Sequence, residues 1–215
     1  MRIIKEPEVR RNEILDAAGA LFVQKGFDNT STNEILEKAG IARGTLYYHF
    51  KSKEDIMDAL IERQTAHMLS AASSAAADKS LAVPDRMIRV VLSLNVEKQD
   101  GEQMLEHMHK PQNALMHQKV QKEMIRGVTP ILADLIQEGI EQGLFHTPYP
   151  YECMEMAMAY VTLVFDDDDV VSLKPEERVS RMQAFLYNME RLVGVENGSL
   201  SAQMMQMFGE RGDNL

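Results

Sequence analysis

Along the first sixty residues the apolar positions recur at the spacing of an α-helix, and glycines or capping pairs interrupt them at definite points. In RNEILDAAGALFVQKGFD, the residues Ile14, Leu15, Ala18, Leu21 and Phe22 fall on one helical face. Lys25 then supplies a cation at the C-terminal end and Gly26 a left-handed cap. In TSTNEILEKAG, Ser31 stands three residues before Glu34, the spacing of a capping box, with Ile35, Leu36 and Ala39 as the apolar stripe and Gly40 as terminator. Only Gly40, Ile41 and Ala42 separate this short helix from RGTLYYHF, where Leu46 and Phe50 are one turn apart and read as core. Ser52 and Asp55 repeat the capping pattern and open a longer helix through Ile56, Met57, Leu60, Ile61 and Met68 to about Ala77.

Further helices are predicted at 84–99, 102–109, 111–126, 130–142, 151–166 and 175–193. Pro84, Pro130 and Pro175 stand at helix starts, Gly143 and Gly194 at helix ends. The 111–126 and 130–142 pieces read equally as one helix kinked at Pro130. Strand signals are nearly absent, and the pattern predicts an all-α protein: an N-terminal three-helix domain, residues 1–55, joined to a larger helical domain, residues 56–215.

Composition narrows the class. The chain of 215 residues has 45% hydrophobic residues, 16 methionines and no tryptophan, so its core is aliphatic and Met-rich. The start, MRIIKEPEVRR, lacks the apolar region of an export signal, and MAMAYVTLVF at 156–165 is about half the ~20 residues of a spanning helix. No membrane partner is expected, and the single Cys153 suits a cytoplasmic location, as a small apolar packing residue. Residues 1–55 carry nine basic and nine acidic side chains, so the whole net charge of −10 belongs to residues 56–215. A uniformly acidic protein binds nucleic acid poorly, because phosphate affinity comes from lysines and arginines that displace counterions. A neutral N-terminal module with clustered bases escapes that exclusion.

The cluster is IARGTLYYHFKSK, residues 41–53, which contains no acid. A helix-turn-helix lays its second helix in the DNA major groove. At the start of that helix Arg43 can reach a guanine edge or a phosphate, Gly44 lets backbone approach backbone, and Thr45 can meet either. Tyr47, Tyr48 and His49 fan over about 200° of helix surface, so at least two lie outside the core. Either tyrosine serves as packing residue while the other reads DNA. Taken alone His49 reads as a surface histidine. Lys51 and Lys53 follow where the next helix begins and its dipole favours a phosphate. Arg2, Lys5, Arg10 and Arg11 form either an arm for the minor groove or a solvated helix face.

STNEILEKAGIARGTLYYHFKSKEDI closely resembles the helix-turn-helix of the TetR family of bacterial transcriptional regulators, over residues 10–60. The resemblance implies a homodimer, an operator in double-stranded DNA, and a C-terminal helical domain that binds a small-molecule effector. It places DNA contacts on Thr32, Ala42, Arg43, Gly44, Thr45, Tyr47, Tyr48, His49 and Lys53. Ala42 departs from the Ser or Thr that many members carry, which removes a side-chain bond to phosphate. Repression is the family's usual mode, with activation as the alternative.

In the second domain Met154, Met158, Val161 and Phe165 form one stripe, and Val179, Met182, Phe185, Leu186, Met189 and Leu192 another. By resemblance the last two long helices pair with their copies, which assigns Met154, Met158, Val161, Phe165, Met182, Phe185 and Met189 to a dimer interface; the stripes serve equally as intramolecular core. Glu106, His107, His109 and His117 lie close in sequence, but His107 and His109 are two apart and face different ways on a helix, whereas a helical metal pair takes i, i+3 or i+4, and the acidic run 166–169 lacks the spacing and glycine of a calcium loop. No metal or cofactor is expected. Neither G-x-S-x-G, a P-loop nor a dinucleotide fingerprint occurs, so a helical enzyme has no motif to rest on. A protein-binding adaptor would leave residues 43–53 without a purpose.

Overall fold

The computed structural model describes residues 6–94, 113–165 and 172–199. Its elements are α1 (Pro7–Lys25), α2 (Thr32–Ala39), α3 (Arg43–His49), α4 (Lys53–Ala77), α5 (Val83–Leu94), α6 (Ala114–Glu141), α7 (Pro150–Tyr160), a π-helical turn (Val161–Phe165) and α8 (Pro175–Val193). Among the described residues there is no strand, and no helix is long and apolar enough to cross a membrane. The helix expected at 102–109, residues Arg2 and Lys5, the Glu106, His107 and His109 group and the run 166–169 lie outside the described residues.

These residues fall into two compact units, 6–67 with 113–123, and 68–94 with 124–165 and 172–199. In the first, α1 begins with Pro7, whose missing N–H would have had no partner there, and buries Ile14, Leu15, Ala18, Leu21 and Phe22. Gly26 takes a positive φ of 87° but an extended ψ of 158°, so the chain leaves α1 stretched out and not in the left-handed helical cap expected of it. The Ser31–Glu34 capping box forms in both directions, and Gly40 does close α2 in the left-handed region at φ 62°, ψ 39°. The core joins these α1 residues to Phe27, Ile35, Leu46, Phe50, Ile56, Met57, Leu60, Ile61 and Met116. Packing therefore runs past residue 55, because one face of α4 and the start of α6 complete it. Asn113, itself buried, accepts from the Phe27 N–H at 3.1 Å and so satisfies a turn amide that no helix bonds.

In the second unit a buried arginine ties three segments together. Arg86 of α5, 3% exposed, donates from Nε to the Ala76 carbonyl in the last turn of α4 at 2.7 Å and forms a bidentate pair with Glu138 of α6 at 2.7 and 3.0 Å. Lys79 adds a second cation to Glu138. These partners hold the Glu138 carboxyl at a pKa of about 2, chiefly through the hydrogen bond from Arg86 and then that from Lys79. α6 runs unbroken through Pro130. Pro130 and Arg126, whose carbonyl it leaves unbonded, are both exposed, on the side where water can replace the missing donor. At Val161 the expected helix changes to a π-helical turn, and Tyr160, Phe165 and Phe185 close into an aromatic trio with centroids 5.3–5.7 Å apart.

Candidate nucleic-acid interface

α3 has seven residues, too few to be stable by itself. It stands because Leu46 and Phe50 are buried in the core of the first unit, while α2 and the Gly40 turn fix where it begins. With Leu46 turned inward, Tyr47 and Tyr48 are 50% and 77% exposed. The sequence left open which of them packs, and neither is buried. The Tyr48 ring stands edge-on to that of His49 at 4.9 Å, and the Arg11 guanidinium lies over the Phe50 ring at 5.2 Å. Desolvation, followed by the nearby charges of Arg11 and Arg10, lowers the pKa of His49, which keeps its imidazole neutral at pH 7. Arg10 pairs with Glu13 within α1 at 2.7 Å.

At the start of α3, Ala42 is the N-cap residue and supplies no side-chain bond. A Cβ built on Gly44 would meet nothing within 4 Å, so the absence of a side chain answers no packing need of the chain itself and leaves bare backbone facing outward. Arg43 and Gly44 are exposed, and Thr45 and Thr32 are half-buried. Lys53 is tied down: its ammonium donates to the Phe27 carbonyl at 2.7 Å and sits 4.2 Å from the centre of the Phe27 ring. Two acids near this surface, Glu34 and Asp55, are engaged as well. Glu34 accepts from the Ser31 N–H and hydroxyl and pairs with Lys25, which brings its pKa to about 2, the bond from Lys25 being the largest cause. Asp55 accepts from the Lys51 N–H at 2.8 Å. One contact has no counterpart in the sequence reading: Arg43 donates from Nη2 to Oδ1 of Asn33, in the first turn of α2, at 3.0 Å. The two residues are ten apart, and only the Gly40 turn brings them together.

The residues expected at a dimer interface are placed differently from one another. Met154, Met158 and Met189 are buried within the protomer. Their stripe is the inward face of α7 and α8, so they have no surface left to offer. Phe165, Met182 and Phe185 are half-buried, and Val161 is exposed. Also outward on the same segments are Tyr151, Met156, Leu163, Val179 and Tyr187. Among the described residues no group of three or more His, Cys, Asp or Glu side chains could hold a metal ion; His117 lies 3.2 Å from the Gln121 side chain.

The short helix α2, the Gly40 turn and α3 form the arrangement of a helix-turn-helix. The family described as "Bacterial regulatory proteins, tetR family" matches residues 14–60, and "Tetracyclin repressor-like, C-terminal domain" matches residues 95–187. Together they take in more than half of the chain, which belongs to the TetR family of transcriptional regulators and is not an enzyme. The Bacillus subtilis (strain 168) fatty acid metabolism regulator protein is 26% identical over 144 residues, 65% of this chain and 73% of that protein. The HTH-type transcriptional repressor KstR2 of Mycobacterium tuberculosis is 40% identical, but over 60 residues, 28% of this chain and 30% of KstR2. Among solved structures, RolR in complex with resorcinol has a TM-score of 0.56 at 18% identity, covering 90% of this chain and 92% of RolR.

Proposed function

We propose that the protein is a cytoplasmic repressor that binds a palindromic operator as a homodimer and is released from it by a small-molecule effector. The observation that carries this reading is the pair of outward tyrosines beside Arg43, on a helix whose inner face is locked by Leu46 and Phe50. Large rings with polar tips, exposed next to a guanidinium and bare backbone, suit sugar-phosphate and thymine methyl groups. DNA contacts fall to Thr32, Ala42, Arg43, Gly44, Thr45, Tyr47, Tyr48, His49 and Lys53, within the DNA-binding domain of residues 1–55. Ala42 contributes its backbone alone, and Lys53 contributes those donors of its ammonium that Phe27 leaves unused.

Residues 56–215 bind the effector and dimerise. Val161, Phe165, Met182 and Phe185 contact the partner together with Met156, Leu163 and Tyr187, and Met154, Met158 and Met189 support them from inside. A dimer sets its recognition helices about 34–36 Å apart, or a multiple, to reach successive major grooves. KstR2 is by name a repressor, and in RolR the same fold holds resorcinol. Effector releases DNA only through a difference in its affinity for the two states.

The test is selection of sites from a genomic fragment library by the purified protein over a salt series, with Arg43→Ala and Tyr48→Ala alongside. The expected result is one palindromic site, a steep salt dependence, and a loss of at least tenfold in affinity in each variant, the order of ~1–3 kcal/mol per base contact. Weak binding that ignores sequence and is equal in all three proteins would overturn the reading.

A further inference from the structure

We infer that Asn33 is a positioning residue for DNA reading: it fixes the Arg43 guanidinium ahead of binding and leaves its charge uncancelled. The inference rests on the DNA-binding reading above. Arg43 is the first residue of α3, exposed, with no preceding turn to pack against. An arginine so placed has a large rotamer freedom to lose when it docks on a base. The 3.0 Å bond from its Nη2 to Asn33 Oδ1 removes much of that freedom in advance.

Asn33 can do this because its own backbone is fixed. It lies between Ser31 and Glu34, which satisfy each other across the first turn of α2, while Glu34 is also held by Lys25. The chemistry of the acceptor matters as much as its position. A carboxylate at residue 33 would bind the guanidinium more tightly, but it would neutralise it and bring a second negative charge toward the phosphates. An amide oxygen orients the cation without either penalty and occupies only one of its donors, so a bidentate approach to guanine N7 and O6 stays open. Glu34, next to Asn33 in sequence, is a carboxylate that the capping box and Lys25 keep occupied.

The test uses the full-length protein, the double-stranded site selected by the wild type, and a library with every half-site position randomised. Asn33→Ala should flatten the preference at the base pair that Arg43→Ala also flattens, leave the other positions unchanged, and weaken the best site about 3- to 10-fold. Adding Asn33→Ala to Arg43→Ala should weaken binding no further. Asn33→Asp should keep the side chain in place but lower the salt slope by about one, the loss of one effective cation. All variants should melt with the wild type, since both side chains are exposed. A wild-type base profile in Asn33→Ala, or additive losses in the double variant, overturns this inference while the DNA-binding reading stands. A wild type without sequence preference overturns both.

Discussion

Gly44 answers no packing or backbone need of the folded chain. The space a Cβ would enter is empty, and the backbone is not in the positive-φ region, so alanine fits the free protein without strain. Gly44→Ala is therefore expected to stabilise the protein by about 0.4–1 kcal/mol through a less flexible unfolded chain, visible as a higher Tm, while operator affinity falls because the methyl occupies the approach of the phosphate or base. Equal or better DNA binding in this variant would show that backbone approach at Gly44 plays no part. At this scale the sequence was legible where spacing decided the matter: Leu46 and Phe50 are core as their one-turn separation requires. It was not legible where two orientations share a spacing. The order of Tyr47 and Tyr48 around the helix leaves both rings outside, and the tie between Lys53 and the Phe27 carbonyl depends on a contact 26 residues distant. The Asn33 to Arg43 bond was hidden for the same reason.

Individual helices followed their local signals closely where caps mark them. Ser31–Glu34 and Gly40 bound α2 as read, because a capping box satisfies its own amides without help from distant residues. The start of α3 lacks such a device. Ala42 has extended backbone, φ −77° and ψ 151°, the geometry from which a hydroxyl can accept a bond from an amide of the first turn. Ala42→Ser should raise stability by roughly 1 kcal/mol, measured by thermal denaturation, and should strengthen operator binding through the added donor to phosphate. An unchanged Tm would mean that the serine prefers another rotamer. The element around Pro130 was harder to read. Pro130 is compatible with a helix start or a helix interior, and the choice is made by burial of the residues on either side, Val128, Thr129, Leu132 and Ala133. Nor does period 3.6 reveal the π-helical turn at Val161, since the aromatic trio that accompanies it draws Phe185 from α8.

Across the whole chain, stability and function draw on charge in different ways. Glu138 has its pKa lowered from 4.5 to about 2, so its contribution to stability is complete above pH 4.5 and is lost as the pH falls toward 2. Glu34 titrates over the same window. Glu138→Gln is expected to lower Tm at neutral pH and to reduce, without abolishing, the fall in Tm between pH 5 and 2; parallel acid limbs in variant and wild type would show that Arg86 gains nothing from the carboxylate charge. The all-helical class was legible from pattern alone. The packing of Met116 into the core of the first unit was not, because that core is otherwise built from residues 14–61 and no periodicity announces a member so distant in sequence. Leu46 is the only residue of α3 that the core claims. If the other six positions read the operator, as proposed, they can vary with little loss of folding, and descendants of this protein can drift from one operator to another by ordinary point mutation, keeping the same body while acquiring new genes to govern.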